Sequence, residues 1–128
     1  MTREIIATDQ APAAIGPYSQ AVRTKELIFV SGQIPIDPAT GAVVSGDIRA
    51  ETRQAMQNLG NILSAAGSSF DRVVKTTLYI SDMDQFTVIN DIYAEFFTDR
   101  PPARACVQVA RLPRDVGVEV EAIALPGD

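Results

Sequence analysis

Histidine is absent from this 128-residue sequence, and cysteine occurs only once. One cysteine excludes an intramolecular disulfide and is typical of a reducing compartment. Without histidine, the chain lacks the usual ligands of a zinc or iron site, so we predict no metal. The usual general base near neutral pH is missing too, which leaves a carboxylate, tyrosine, lysine, cysteine or water for proton transfer.

Positive charge is also scarce. The sequence contains eleven Lys and Arg residues and sixteen Asp and Glu residues, which gives a net charge of -5. The basic residues are scattered rather than gathered in a stripe, which argues against a dedicated nucleic-acid binder. A small anionic ligand would therefore need a local positive site.

Long apolar runs are missing as well, so we predict no membrane span. Residues 1–6 lack the apolar core of a secretory leader, which predicts a cytoplasmic protein. With 46% hydrophobic and 21% charged residues, the composition fits one compact domain, residues 1–128, that can bury a substantial core.

Hydrophobic periodicity predicts an α+β arrangement. The predicted elements, in chain order, are a strand at 4–7, a hairpin of 20–23 and 27–31, a helix from Ile48, a strand at 72–81, a second helix after Asp82 or Asp84, a strand from Arg104 and a strand at 116–125. Asp47 can cap the first helix and Gly67 can end it. Its polar residues, expected on the outer side, are Glu51, Gln54, Asn58 and Asn61. One face of the strand at 72–81 is expected to carry Val74, Thr76, Leu78 and Ile80.

Two strand-helix-strand crossovers would make the strands that begin near residues 27, 73 and 104 parallel. Because such crossovers are right-handed, both helices would then cover the same face of the sheet. The strands carry apolar residues on both sides, so we expect the bare face to pack against other subunits in a closed homo-oligomer. A polar pocket at such a seam would be a natural site.

Arg104 is the first candidate for ligand binding. It follows Pro101 and Pro102, which restrain the backbone and exclude helix, so the arginine enters a strand from a stiff segment. Alternation places Arg104, Cys106 and Gln108 on one face. The pattern is typical of an anion clamp, although a solvated arginine on a stiff connector would have the same sequence.

Several polar residues are further candidates. Tyr18 follows a Gly-Pro turn that would hold its hydroxyl in place, unless it only anchors the loop. Gly32 allows close backbone approach and could leave amide donors free, unless it only marks a bulge. Asn90 lies beside the apolar stripe of the second helix. Glu119 and Glu121 share one face of an apolar strand, and we predict that one of them is the general base.

The chain resembles the RidA family, also called the YjgF/YER057c/UK114 family, along nearly its whole length. The resemblance depends on several motifs together: residues 16–21 (GPYSQA), residues 30–35 (VSGQIP), residues 61–67, residues 79–83 (YISDM), the spacing of Phe86, Asn90, Tyr93, Phe96 and Phe97, residues 102–104 (PAR), residues 111–113 (RLP) and residues 118–122 (VEVEA). Family members often have a hydroxyl residue directly after the arginine, whereas this sequence has Ala105, which is a mild departure from the pattern.

The resemblance implies a chorismate-mutase-like fold, in which a mixed β-sheet has two helices on one face and the sheets form the core of a homotrimer. It implies that the last strand inserts between earlier strands, where the sequence alone would favour a hairpin with its predecessor. It also implies hydrolysis of reactive 2-imino acids, or their enamine tautomers, to 2-keto acids and ammonia without a cofactor, at sites between subunits.

By position, the resemblance assigns carboxylate binding to Arg104 and water activation to Glu119. It places Cys106 in the wall of the pocket, and Tyr18, Ser31, Gly32 and Asn90 in contact with the substrate. Cys106 could instead be a nucleophile, but no histidine is present to generate its thiolate. Two other functions stay open: a non-catalytic binder of small carboxylates with a regulatory or chaperone-like role, and an endoribonuclease.

Overall fold

Six strands form a single mixed sheet in the computed structural model, which describes residues 2–127. The helices and strands are, in chain order, β1 (Glu4–Ile6), β2 (Ala21–Arg23), β3 (Ile28–Gln33), α1 (Ile48–Ala65), β4 (Val73–Ile80), α2 (Phe86–Ala94), β5 (Ala103–Gln108) and β6 (Val118–Ala124). Among the described residues, no helix is both long and apolar enough to cross a membrane.

The strands are ordered β1-β2-β3-β6-β4-β5 across the sheet. β6 is antiparallel to both of its neighbours, whereas β4 and β5 are parallel. The strands β3, β4 and β5 therefore run the same way, as the two predicted crossovers require. The last strand lies in the middle of the sheet, as the family resemblance implies, and the hairpin of β5 with β6 that chain order favours does not form.

The two faces of the central strand β6 differ in burial. Val118, Val120, Ala122 and Ala124 are buried, while Glu119, Glu121 and Ile123 between them are half-buried. The buried residues belong to the core that also includes Met56, Leu59, Ile62 and Leu63 of α1 and Ile89 and Tyr93 of α2. The carboxylates therefore lie on the face that the helices leave bare. The exposed apolar side chains include Phe29, Val107 and Leu125, each more than two-fifths exposed.

The alternation predicted for β4 is interrupted. Opposite β6, Val73 pairs with Ala124 and Lys75 with Ile123, so Val74 is an extra residue in the ladder. This β-bulge moves Val74 to an exposed position and lets Val73 and Thr76 both be buried. The expectation that Val74 shares a face with Thr76, Leu78 and Ile80 is therefore wrong.

The predicted helix caps are confirmed, but one polar residue of α1 lies on the opposite side from the one expected. The Asp47 carboxylate accepts a hydrogen bond from the Arg49 amide, and Gly67 follows the helix with φ of 79°. Asn58, expected outside, is fully buried. Its amide group donates to the carbonyls of Ile34 and Ile36 at 3.2 and 2.9 Å. The Ile34 carbonyl also accepts from the Ile36 amide at 2.8 Å, so Asn58 matters most to the Ile36 carbonyl, since a partly buried carbonyl needs a donor.

Candidate functional site

The seven predicted site residues form two groups on opposite faces of the sheet. Tyr18, Ser31, Gly32 and Glu119 line one cavity of about 510 Å³, and we call this group the glutamate half. Arg104, Asn90 and Cys106 lie at the β5 edge, and we call them the arginine half. Arg104 pairs with Thr76, which is buried beneath the helices, whereas Glu119 pairs with Tyr79 on the bare side.

Gly32 makes the glutamate half possible. The register of β3 against β6 shifts between Val30 and Gln33, which places a bulge at Ser31 and Gly32. A Cβ atom on Gly32 would lie 1.9 Å from the Glu119 Oε2 atom. Only glycine therefore lets the carboxylate rest against β3. The sequence predicted a special role for Gly32, and the structure supplies a reason that the sequence did not show.

Glu119 has the electrostatics of a base. Burial, and then repulsion from the neighbouring Glu121 carboxylate, raise the pKa of Glu119 above its ordinary value. A raised carboxyl pKa makes the ionised form a stronger proton acceptor. Glu121 has a different environment, since it accepts a hydrogen bond from the Tyr79 hydroxyl. Of the two carboxylates, Glu119 is the one that lines the cavity.

The loop that carries Tyr18 completes this cavity. Gly16 has φ of 116°, which favours glycine, and its carbonyl accepts a hydrogen bond from the Tyr18 amide at 2.9 Å. The Tyr18 side chain is 52% exposed, so its phenol is open to a ligand. Beneath it, the Ser31 hydroxyl donates to the Ser19 carbonyl at 2.6 Å. This bond ties the tyrosine loop to β3.

Arg104 dominates the other half. Its Nη1 atom donates to the Asn90 Oδ1 atom at 2.7 Å. The Cζ atom of its guanidinium lies 4.9 Å from the Tyr93 ring centroid and 5.4 Å from that of Phe86. Because the residue is exposed, donors that do not face Asn90 are available to a carboxylate, which arginine binds through two parallel hydrogen bonds.

Cys106 follows Arg104 on the same face and packs partly against the core. Burial raises the pKa of its thiol, an effect that the positive charge of Arg104 only partly offsets. A thiol of this kind is mostly protonated near neutral pH and is a poor nucleophile. The residue fits a position in the wall of the pocket.

Some residues near the two halves were not predicted. Arg114, in the turn after Leu112, lines the same cavity as Glu119 and has φ of 58°. The local sequence around Arg114 gives no sign that its side chain would line this cavity. Tyr93 belongs to the core and Phe86 packs against it, and both rings also lie under Arg104. Within residues 2–127, no group of three or more Cys, Asp or Glu side chains is placed to hold a metal ion.

A mixed sheet with its last strand in the middle, two helices on one face and an arginine at the β5 edge defines a chorismate-mutase-like α+β protein. Residues 8–126 match the family model described as Endoribonuclease L-PSP. The chain belongs to this family, which is also known as the RidA or YjgF family.

Named relatives cover nearly the whole chain. The 2-iminobutanoate/2-iminopropanoate deaminase of Mus musculus is 52% identical over 98% of this chain and 93% of its own length. The YjgF gene product of E. coli, with a TM-score of 0.92, is 47% identical and covers 95% of this chain and 98% of its own. E. coli TdcF, solved with bound serine, has a TM-score of 0.93 and 44% identity, covering 97% and 99%.

Proposed function

We propose that this protein is a cofactor-independent imine deaminase. Its substrates would be 2-iminopropanoate and 2-iminobutanoate, or the enamines 2-aminoacrylate and 2-aminocrotonate, and its products 2-keto acids and ammonia. The observation that carries the proposal is the fixed, exposed guanidinium of Arg104, held by Asn90 beside two aromatic rings. The deaminase name of the mouse relative and the serine bound by TdcF, which also carries a carboxylate, support it.

The proposed site is built from two copies of the chain. Within one copy, Arg104 and Glu119 lie on opposite faces of the sheet, so they cannot act on one small substrate. The bare face carries Phe29, Val107 and Leu125, and an exposed apolar surface of this kind favours association. A homotrimer would place the arginine half of one copy against the glutamate half of the next, repeating one interface around a closed ring.

The chemistry follows from these groups. Arg104 would bind the substrate carboxylate and thereby fix the position of C2. Glu119 would accept a proton from water as the water oxygen forms a bond to the electrophilic iminium carbon. The tetrahedral product then holds a hydroxyl and an amino group on C2. Transfer of a proton to the nitrogen, and loss of the hydroxyl proton, break the carbon-nitrogen bond and release ammonia and the 2-keto acid.

Ammonia release from imines generated in situ by an amino acid oxidase tests this proposal. Arg104→Ala should lower kcat/KM by about a hundredfold, since a charge-assisted, bidentate contact is lost. Arg104→Lys should recover part of the activity, because lysine keeps the charge but not the planar fork. Arg49→Ala, on the exposed side of α1, is the matched control. Wild-type turnover by Arg104→Ala would show that the arginine does not bind the substrate.

The name of the family, Endoribonuclease L-PSP, favours RNA cleavage as a second candidate function. The net charge of -5 is unfavourable for binding a phosphate backbone. We expect no RNA cleavage that co-purifies with the protein through successive columns. Cleavage that stayed constant per mole of protein, and fell in the Glu119→Gln variant, would instead support the ribonuclease.

A further inference from the structure

The aromatic surface beneath Arg104 is formed by two residues of α2, Phe86 and Tyr93. They lie seven positions apart, which is two helical turns, so both rings point from one face of α2 toward the β5 edge. The Arg104 guanidinium lies within 5.4 Å of both ring centroids. Asn90 lies about one turn from each ring. Its side-chain oxygen accepts a hydrogen bond from the Arg104 guanidinium, which fixes the orientation of the guanidinium over the rings.

This surface is itself held rigidly. The Tyr93 hydroxyl and the Thr76 hydroxyl share a buried hydrogen bond of 2.7 Å. Thr76 is the β4 residue in register with Arg104. The ring on which the guanidinium rests is therefore tied to the strand beside the one from which the arginine projects. The Phe97 ring packs against the Tyr93 ring, with centroids 4.8 Å apart.

We propose that Phe86 and Tyr93 are positioning residues that act through Arg104. The two rings hold the guanidinium in one orientation before the substrate arrives, so that its outward donors already match a carboxylate. This inference rests on the proposed role of Arg104 and deepens it, because it identifies what makes that arginine a selective carboxylate receptor.

The physical basis is a reduced cost of ordering. A mobile arginine side chain loses conformational entropy when it binds a ligand. If the side chain is already fixed in the free protein, less entropy is lost on binding. The Arg104 guanidinium is also attracted to the electron-rich faces of the two rings. A cation–π attraction of this size corresponds to a severalfold change in the affinity for the carboxylate ligand. Lysine would gain less from this surface, since its ammonium neither stacks nor presents a planar fork.

Steady-state kinetics on imines generated in situ separate this role from a purely structural one. Phe86→Leu and Tyr93→Leu should each raise KM about five- to tenfold. We expect kcat to stay within about twofold, because Glu119 and the attacking water belong to the other half. Binding of 2-ketobutanoate, measured by calorimetry, should weaken by the same factor as KM rises.

Two variants control the interpretation. Tyr93→Phe keeps the ring under Arg104 and removes only the hydroxyl bond to Thr76, so we expect a smaller rise in KM than in Tyr93→Leu, together with a lower melting temperature. Phe70 is half-buried, like Phe86, but its ring packs on Phe96 and Phe97 rather than on Arg104. Phe70→Leu should therefore leave KM unchanged. In an Arg104→Lys background, Phe86→Leu should change KM less than it does in the wild type.

The inference is overturned if Phe86→Leu has a wild-type KM, or if Phe70→Leu raises KM as much as the two ring variants do. Phe86 is only half-buried, so its variant remains decisive even if Tyr93→Leu does not fold. Failure of the proposed function is a distinct result. If Arg104→Ala retains wild-type KM and kcat, the clamp itself is wrong, whereas an inactive Arg104→Ala alongside normal ring variants removes only the positioning role.

Discussion

The role proposed for Glu119 depends on the ionisation of one carboxyl group, and neighbouring residues set the pKa of that group. Burial raises the pKa of Glu119 first, and the charge of Glu121 raises it further. Other ionisable side chains near the pair are Tyr79, which donates its hydroxyl hydrogen to Glu121, and Tyr18 and Arg114, which line the cavity. A general base must be deprotonated, so activity falls as pH decreases through its raised pKa.

Glu121→Gln should therefore shift the acid limb of the pH-rate profile to lower pH. The substitution removes a negative charge and so removes one cause that raises the pKa of Glu119. The shift is read from kcat/KM across the acid range, after subtraction of uncatalysed imine hydrolysis, with Glu26→Gln on the exposed hairpin turn as the control. An acid limb that stayed in place, or moved to higher pH, would contradict the assignment of Glu119 as the titrating base.

Single residues of the site were predictable to different degrees. The Pro-Pro segment marked Arg104 as a restrained cation, and the two strand carboxylates marked a candidate base. The alternation pattern alone could not choose between Glu119 and Glu121, because both lie on the same face of the strand, and only the family resemblance favoured Glu119. That distinction depends on Gly32, which belongs to β3, and on Tyr79, which belongs to β4. Each lies far from β6 in the chain.

At the scale of elements, α1 has a second task besides covering the core. Buried Asn58 donates to the carbonyls of Ile34 and Ile36 and accepts from the Gln54 side chain. Ile34 and Ile36 both line the cavity of the glutamate half. The helix therefore holds in place the segment that forms one wall of the proposed site.

Asn58→Leu should destabilise the protein by about 2 kcal/mol, because the partly buried Ile36 carbonyl loses the donor of its 2.9 Å bond and the Ile34 carbonyl keeps only the Ile36 amide. Urea unfolding followed by circular dichroism measures this change. Asn61→Ala is the matched control: Asn61 is exposed and makes a single hydrogen bond, to the Gln10 carbonyl, so we expect a loss of about 0.5 kcal/mol. Equal losses in the two variants would mean that burial of the Asn58 bonds adds nothing.

The elements themselves follow closely from local pattern, but their pairing does not. Alternation predicted β6, and the helical stripe with Asp47 and Gly67 predicted α1. Neither pattern specifies that β6 inserts between β3 and β4, since that depends on long-range ladders. The bulge at Val74 and the burial of Asn58 were missed for a related reason. The bulge depends on the pairing of β4 with β6, and the burial of Asn58 depends on the carbonyls of Ile34 and Ile36, so neither can be read from the neighbouring sequence.

For the molecule as a whole, the decisive fact is that the two halves of the proposed site face away from each other. The sheet separates Arg104 from Glu119. If both act on one substrate, each active site needs two copies of the chain, and activity depends on assembly. Dilution below the dissociation constant of the oligomer should then remove activity together with the oligomer, as judged by sedimentation.

Mixing two inactive variants tests this arrangement directly. Arg104→Ala chains retain Glu119, and Glu119→Gln chains retain Arg104. If each site takes one residue from each of two neighbouring copies, chains unfolded and refolded together at equal ratio should regain about a quarter of wild-type activity, since both partners are drawn at random. The two variants refolded separately and then mixed without exchange are the control and should stay inactive. Absence of recovery in the co-refolded sample, despite oligomers of wild-type size, would contradict a site that takes Arg104 from one copy and Glu119 from the next.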